Sequence, residues 1–289
     1  MTGVLLVAAA IFVLGGALIL AASLLPAWNA KARDLWPFYR SEFLIVGAIL
    51  LPSAADGWIF LAVLLALAIR GQWELFTLFG QSPKTALSVV AMVAGAGLVG
   101  TGVLAPDRLP VAALVAIVFV LLAGRLDLPR TWPAIAGLVF PSLAVALMGA
   151  LREAPAGFLW LLLAQAAVET NDSFALLVGK LVGRIRPFSR LSPGKTLEGL
   201  VGGLAAGLAA GFAVAHVLLG LPIFEAFVAT AVALAAGLAG DLLLSGLKRR
   251  RGVKDFPPLA LLHGGLLDIY DSLLFAAPAL LLLRSGLRL

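Results

Sequence analysis

Three aspartates in the C-terminal half of the chain have the surroundings and spacing of a metal- and phosphate-binding site. Asp241 follows a long run of apolar and small residues, and a carboxylate at that depth requires a metal or a basic partner. Asp268 and Asp271 are three residues apart, so a helix would place both on one face. Mg²⁺ is typically held by one or two carboxylates together with phosphate oxygens, whereas Zn²⁺ prefers cysteine and histidine. Asp241, Asp268 and Asp271 therefore predict an Mg²⁺-type site.

Residues near these aspartates could shape a ligand pocket. Gly264 and Gly265 let the backbone approach a ligand closely because they carry no Cβ. His263 precedes them and is open to two interpretations, a ligand contact or a structural hydrogen bond. Ser245 lies one helical turn after Asp241, on the same face. We predict that these residues line the same site.

A second candidate is segment 192–199, which combines a helix start with a lysine. Ser192 is predicted to cap a helix that begins at Pro193, whose free N–H groups and dipole favour an anion. Lys195 adds a positive charge beside them. The segment is not a P-loop, because Ser189 stands where that motif requires glycine and no strand precedes it. The alternative is an ordinary capped helix start with Lys195 anchored at the membrane interface.

A third polar group closes an apolar segment shortly before residue 180. Glu169, Asp172 and Ser173 share a helical face at spacings of three and four residues. Ionisable residues inside a membrane span are costly and usually functional. The group predicts either part of a functional site or a network that satisfies the free carbonyls of a helix end.

The composition indicates that membrane-spanning helices position all of these residues. The chain has 289 residues, of which 62% are hydrophobic and 12% are charged, and its mean hydropathy is +1.08. A soluble domain carries about a quarter charged residues, so a soluble globule and a disordered chain are excluded. The absence of cysteine excludes disulfides and thiolate chemistry. The predicted fold is all-α, a polytopic integral membrane protein with about 9–10 transmembrane helices.

Apolar runs separated by charged and Pro/Gly-rich segments predict where the chain crosses the membrane. The predicted spans are 3–25, 42–53, 57–79, 86–104, 110–123, 132–150, 156–179, 197–219, 222–245 and 270–284. The first is interpreted as a retained span, because no basic residue precedes it as in a signal peptide. Because polar groups concentrate in the second half, residues 1–155 are predicted to form a lipid-facing scaffold and residues 156–289 a catalytic region with two basic cytoplasmic loops.

The formal net charge is +6, and much of the positive charge lies in two clusters. The clusters consist of Lys180, Arg184, Arg186, Arg190 and Lys195, and of Lys248, Arg249, Arg250, Arg251 and Lys254. The positive-inside rule places both clusters in the cytoplasm and both termini outside. Membrane lipids are predicted partners. No nucleic-acid partner is predicted, because no basic–aromatic recognition module occurs.

Several blocks of the sequence resemble one known family, and the resemblance covers about residues 165–278. Ser245-x-x-Lys248-Arg249, Val253-Lys254-Asp255 and His263-Gly264-Gly265-x-x-Asp268-x-x-Asp271-Ser272 resemble the C-terminal signature of the phosphatidate cytidylyltransferases, or CDP-diacylglycerol synthases. Asn171-Asp172, Gly179-Lys180, Ser192-Pro193-Gly194-Lys195-Thr196-x-Glu198-Gly199 and Gly240-Asp241 are similar to earlier blocks of the family, in the same order.

The resemblance implies a reaction in which CTP and phosphatidate, or a related lipid phosphate, give CDP-diacylglycerol and pyrophosphate. It implies Mg²⁺, often with K⁺, a homodimer, and a site in the membrane that opens to the cytoplasm. The implied catalytic residues are Asp241, Asp268, Lys195 and Lys248, and the implied metal ligands are Asp241, Asp268 and Asp271. The implied substrate-binding residues are Asn171, Asp172, Ser192, Lys195, Thr196, Ser245, Lys248, Arg249, Lys254, His263, Gly264 and Gly265.

Two positions depart from the family pattern. Leu261-Leu262 replaces the usual Pro-Gly, and Ile269 replaces the usual arginine. The loss of a basic residue leaves open a different lipid acceptor, a weaker enzyme, or compensation by Arg250 or Arg251.

Three alternatives to the cytidylyltransferase interpretation remain. The first is a CTP-dependent transferase that acts on an isoprenoid or archaeal-type lipid. The second is a membrane transporter, which would distribute polar residues across both halves of the chain instead of concentrating them in one. The third is a non-catalytic homologue.

Overall fold

The computed structural model describes residues 16–17, 20–21, 23–24, 45–55, 57–187, 192, 194–258 and 264–287. The predicted span 3–25 lies largely outside the described residues, as do His263, Leu261 and Leu262. Within the described part of the chain there are helices and no strand, which confirms the all-α prediction.

The helices are numbered α1 to α11 in chain order. They are α1 Ile45–Ala54, α2 Gly57–Leu78, α3 Ala86–Leu104, α4 Leu109–Ala123, α5 Leu128–Gly137, α6 Ala144–Glu153, α7 Gly157–Val182, α8 Leu197–Ala213, α9 Ile223–Arg250, α10 Leu266–Ile269 and α11 Leu273–Leu287. A 3₁₀ turn, Pro106–Arg108, precedes α4, and π-helical turns, Leu138–Leu143 and Val214–Leu218, follow α5 and α8.

Seven helical segments among the described residues are long and apolar enough to cross a membrane. They are Gly57–Leu78, Ala86–Leu104, Pro106–Ala123, Leu128–Glu153, Gly157–Val182, Leu197–Leu218 and Ile223–Arg250, and α1 and α11 are shorter apolar helices. Helices suit this environment because every backbone polar group within a bilayer must find an internal partner. The prediction of a polytopic membrane protein is confirmed.

Helices α7 and α9 continue beyond the predicted ends of their spans. Lys180 lies in the last turn of α7, and Lys248, Arg249 and Arg250 lie in the last turn of α9, so these basic residues are on helices instead of in loops. The sequence prediction was wrong here because hydropathy marks where the apolar run stops, whereas a helix can continue into polar surroundings. Cations are favourable at a helix C-terminus, where the backbone carbonyls carry partial negative charge.

Glycines bring α7 and α8 into close contact. Gly199, Gly203, Gly207 and Gly211 recur every four residues along α8 and are all buried. A Cβ atom on Gly203 would lie 2.5 Å from the carbonyl oxygen of Asn171 on α7. Small residues at this spacing let two membrane helices approach until their backbones touch.

Helix α11 packs against three other helices among the described residues. It contacts α6, α7 and α9. Gly240 on α9 faces the start of α11, because a Cβ atom on Gly240 would lie 2.7 Å from the Asp271 carbonyl oxygen. This packing brings the polar residues of α7 and α9 to the first turn of α11.

Several of the N-terminal helices are more buried inside the protein than helices of a lipid-facing scaffold would be. Residues buried inside the protein make up 56% of the most apolar stretch of α2 and 67% of that in segment 128–153, against 17% for segment 106–123. Polar side chains are among them, including Gln72 and Glu74 on α2. The division at residue 155 stays a prediction, but α2 is part of the protein core.

Candidate active site

Two lysine–aspartate pairs lie at the centre of the candidate site. The Lys195 ammonium, just before α8, contacts Asp241 Oδ2 on α9. The Lys248 ammonium, on α9, contacts Asp268 Oδ1 on α10, and Lys248 is only 7% exposed. A buried charge is tolerated when it is paired and hydrogen-bonded. The structure therefore supplies Asp241 with the basic partner that its depth requires.

Asp268 also fixes the backbone around it. Its Oδ2 accepts hydrogen bonds from the N–H groups of Phe256 at 2.7 Å and Gly265 at 2.9 Å. Gly264 has a φ of +120°, a conformation that glycine adopts without strain. Both oxygens of Asp268 are therefore engaged, one by Lys248 and one by the backbone.

A second pair of carboxylates is linked by a hydroxyl group. The Ser272 hydroxyl lies 3.3 Å from Asp172 Oδ2 on α7 and 3.3 Å from Asp271 Oδ1. The backbone N–H of Ser272 donates to Asp271 Oδ1 at 2.7 Å, and Asn171 Nδ2 donates to Asp172 Oδ1 at 2.8 Å. Asp172 and Asp271 are far apart along the chain, so their proximity could not be predicted from sequence spacing.

These pairs form one electrostatic cluster. Asp271 is close enough to Asp172, Lys195 and Lys248 for their charges to act on it. Four carboxylates and two ammonium groups meet there, which leaves a formal charge of −2 when all are ionised. The predicted residues Asn171, Asp172, Lys195, Asp241, Lys248, Asp268 and Asp271 are thus brought together, and Ser245 joins them through a 3.4 Å contact with Asp241 Oδ1.

The predicted helix start at Pro193 is wrong. Residues 194–196 are not helical, and α8 begins at Leu197 with Thr196 as its N-cap, whose hydroxyl accepts the Gly199 N–H at 3.1 Å. Ser192 does not cap this helix, but its carbonyl accepts the Lys195 N–H at 3.1 Å. Serine and threonine both favour N-cap positions, so residue type alone did not distinguish Ser192 from Thr196.

The extended segment before α8 is held by the first turn of that helix. Glu198 accepts hydrogen bonds from the N–H groups of Arg184 at 2.9 Å and Ile185 at 3.3 Å, and the Leu197 N–H donates to the Ile185 carbonyl at 2.7 Å. These contacts join the end of α7 to the start of α8.

The remaining predicted residues lie outside the cluster or outside the described residues. Lys254 is exposed in the turn after α9, and Arg249 donates to the Val253 carbonyl at 3.1 Å. Arg251 packs over the rings of Phe79 and Trp132. His263 is outside the described part of the chain.

The donor chemistry of the cluster suits a hard divalent cation, but the arrangement is not a complete metal site. Among the described residues, no three aspartates, glutamates or histidines are grouped so as to hold a metal ion. The excess of two negative charges and the oxygen-only carboxylate donors fit Mg²⁺, which commonly takes its other ligands from a phosphate substrate.

Sequence reasoning missed two charged residues on α2 that contact this region. Glu74 is fully buried and forms an ion pair with Arg70 at 2.8 Å. The signal was present, because two charges four residues apart within an apolar span predict a paired functional element. It was overlooked because the other polar groups cluster in the C-terminal half.

Residues 39–286, most of the chain, match the sequence profile of a family described as "Cytidylyltransferase family". The chain belongs to this cytidylyltransferase family. The resemblance predicted from the sequence blocks is therefore confirmed, and the match extends well beyond residues 165–278 into the N-terminal helices.

Individual relatives match this chain over a shorter region. A protein named "Uncharacterized protein YnbB" from Escherichia coli (strain K12) is 42% identical over 122 residues, 42% of this chain and 41% of that protein. The phosphatidate cytidylyltransferase of Aquifex aeolicus (strain VF5) is 36% identical over 115 residues, 39% of this chain and 42% of the relative. That of Staphylococcus haemolyticus (strain JCSC1435) is 33% identical over 125 residues, 43% of this chain and 48% of the relative. The chain spans less than half the length of these curated relatives.

Proposed function

We propose that this family member is an integral-membrane nucleotidyltransferase that converts CTP and phosphatidate into CDP-diacylglycerol and pyrophosphate. The observation that carries the proposal is the cluster of two lysines and four aspartates at the meeting point of α7, α9 and α11. The names of the Aquifex and Staphylococcus relatives support the choice of substrates.

In this reaction a phosphate oxygen of phosphatidate attacks the α-phosphorus of CTP. The bond from the α-phosphorus to the oxygen that bridges it to the β-phosphorus breaks, and pyrophosphate leaves with that electron pair. We assign Lys195 and Lys248 to the phosphate chain of CTP, since ammonium groups stabilise the negative charge that grows on the leaving group. In the structure, Asp241 and Asp268 neutralise these lysines and limit the cost of burying them.

Mg²⁺ is proposed as the cofactor, and K⁺ as a second ion, on the basis of the resemblance and of the charge of the cluster. Asp241, Asp268 and Asp271 stay the proposed ligands. Asp241 is better suited than Asp268, because both oxygens of Asp268 are already engaged. A bound Mg²⁺ would supply further charge stabilisation to the phosphates.

The proposal also states how the lipid acceptor reaches the site and which side of the membrane the site faces. Membrane-spanning segments surround the cluster, so a lipid phosphate could reach it from the bilayer. The proposed site faces the cytoplasm, where CTP is available, in agreement with the positive-inside prediction. The homodimer implied by the resemblance stays a prediction.

The proposal is tested by incubating the purified protein with labelled CTP, Mg²⁺ and one lipid phosphate at a time. We expect label to enter the lipid product with phosphatidate, and pyrophosphate to appear in equal amount. A product only with an isoprenoid or archaeal-type lipid phosphate would replace the proposed acceptor. Absence of any nucleotidyl transfer, together with ion or lipid movement in vesicles, would favour the transporter interpretation.

A further inference from the structure

A buried carboxylate on α2 holds the segment that leads into α10. Glu74 Oε1 accepts the Leu266 N–H at 2.8 Å, and Glu74 Oε2 accepts the Leu267 N–H at 2.9 Å. The carboxylate is fully buried and also accepts from Arg70 Nε at 2.8 Å. A single side chain of the N-terminal half thus satisfies two free N–H groups at a helix start in the C-terminal half.

Arg70 holds the other end of the same segment. Its Nη2 donates to the Pro257 carbonyl at 2.8 Å and contacts the Pro258 carbonyl at 3.4 Å. The guanidinium lies 4.2 Å from the centre of the Trp73 ring, which restricts its orientation. Arg70 and Glu74 therefore contact the chain on both sides of residues 259–263.

The geometry connects this pair directly to the lysine–aspartate cluster. Three consecutive N–H groups are bound by two carboxylates, that of Gly265 by Asp268 and those of Leu266 and Leu267 by Glu74. A Cβ on Gly265 would lie 2.5 Å from Glu74 Oε2, so the close approach requires glycine there. One residue beyond Leu267, Asp268 contacts Lys248.

We propose that Glu74, oriented by Arg70, is a positioning residue for the reaction: it fixes the backbone at Leu266 and Leu267 so that the adjacent Asp268 keeps Lys248 in its place in the active site. The catalytic part of this inference rests on the proposed function. Glu74 contacts the backbone and Arg70, not the reacting groups, so it acts only through the geometry of this segment.

The test compares Glu74→Gln with a matched control on the same helix. Gln72→Met also removes a buried polar group from α2, but the partners of Gln72 are the Ala91 carbonyl and the Ser142 hydroxyl, not the backbone at Leu266 and Leu267. Glu74→Gln keeps the size of the side chain but replaces one carboxylate oxygen by an amide nitrogen, which donates hydrogen bonds and cannot accept them. Arg70→Met is the second variant, because it removes the group that orients Glu74 but leaves the carboxylate that accepts from Leu266 and Leu267.

We expect amide exchange at Leu266 and Leu267 to accelerate about 10- to 100-fold in Glu74→Gln, the range for a lost charged hydrogen bond, and not in Gln72→Met. The kcat per folded molecule should fall by a similar factor in Glu74→Gln and by less in Arg70→Met, and the KM for CTP should rise as well, because Lys248 is assigned to the phosphates of CTP. A purely structural role predicts equal losses of folded protein for Glu74→Gln and Gln72→Met with unchanged kcat.

Unchanged exchange in Glu74→Gln and Arg70→Met would overturn the inference, as would faster exchange with full kcat. The exchange measurement needs no substrate and is therefore independent of the proposed function. If the wild-type protein transfers no nucleotide to any lipid phosphate, the proposed function fails, and exchange alone decides whether Glu74 fixes the segment.

Discussion

The two aspartates that pair with lysines differ in how many of their oxygens are free. Asp268 binds Lys248 with one oxygen and two backbone N–H groups with the other, so its removal would disturb the backbone as well as the chemistry. Asp241 binds Lys195 with one oxygen, and among the described residues its other oxygen has only a long contact with the Ser245 hydroxyl. Asp241 is therefore the residue at which a chemical role is best separated from a structural one.

We expect Asp241→Asn to lower kcat by about a thousandfold or more, because a lost metal ligand removes several kcal/mol of transition-state stabilisation. Asp268→Asn should also abolish turnover. Turnover is measured with purified protein at saturating CTP in Mg²⁺ and in Mn²⁺. Asp107→Asn, an exposed carboxylate in the turn before α4, is the matched control and should leave kcat unchanged. Normal turnover by folded Asp241→Asn would remove this residue from the site.

Lys195 should act mainly on the binding of CTP. Lys195→Ala is expected to raise the KM for CTP about 10- to 100-fold with a smaller fall in kcat, because ground-state and transition-state phosphate contacts are both lost. Lys195→Arg should recover part of the affinity, since a planar guanidinium replaces an ammonium imperfectly. Lys84→Ala, an exposed lysine between α2 and α3, is the control. An unchanged KM with less folded protein would indicate that Lys195 only anchors the start of α8.

At the scale of elements, the contact between α7 and α8 determines where Asp172 and Lys195 lie. Asn171 and Asp172 are on α7, Lys195 immediately precedes α8, and the glycines of α8 face the α7 backbone at the level of Asn171. The distance between α7 and α8 therefore affects how far Asp172 lies from Lys195 in the candidate site.

Gly203→Ala should destabilise the protein by about 1–3 kcal/mol, because the new methyl group would overlap the Asn171 carbonyl oxygen and force α8 away from α7. The midpoint of thermal unfolding in detergent measures this change. Gly97→Ala on α3 is the matched control, since a Cβ there meets no atom within 4 Å, and it should be neutral or slightly stabilising. Equal midpoints for the two variants would contradict the close packing.

At the scale of the whole molecule, one lysine of each basic cluster lies near the start of α11. Lys195 contacts Asp241, whose neighbour Gly240 packs against the Asp271 carbonyl oxygen, and Lys248 contacts Asp268, three residues before Asp271. At the other end of α11, Arg284 lines a cavity of about 620 Å³ together with Pro106, which precedes Asp107 in the turn between α3 and α4. Residue 107 is therefore opposite the candidate site.

The positive-inside rule predicts that the end with the basic clusters faces the cytoplasm. Single cysteines at Arg186 and Val253, both exposed, and at Asp107 test this in a chain without cysteine. Val253 is preferred to Gly252, whose φ of +72° disfavours a side chain. An impermeant reagent should label Asp107→Cys on intact cells, and Arg186→Cys and Val253→Cys only after permeabilisation. The reverse pattern would invert the orientation.

The sequence by itself determined the class of fold, most of the spans and the identity of the polar residues in the site. Hydropathy suffices for the spans because a bilayer admits only long apolar helices with internally bonded backbones. Charged residues such as Asp241 and Lys248 stand out within or beside such spans because burying them is costly. The family blocks in 165–278 then indicated the chemistry, and the wider family match agrees.

Only the tertiary structure decided which of these residues are partners. Lys195 pairs with Asp241, Lys248 with Asp268, and Asp172 with Asp271 through Ser272, and each pairing joins residues from different elements. The same is true of Glu74, which contacts Leu266 and Leu267 across a sequence separation of 192 and 193 residues. Such pairings depend on how helices pack, and helix packing depends on side-chain shapes and close glycine contacts that the hydropathy pattern of a single sequence does not encode.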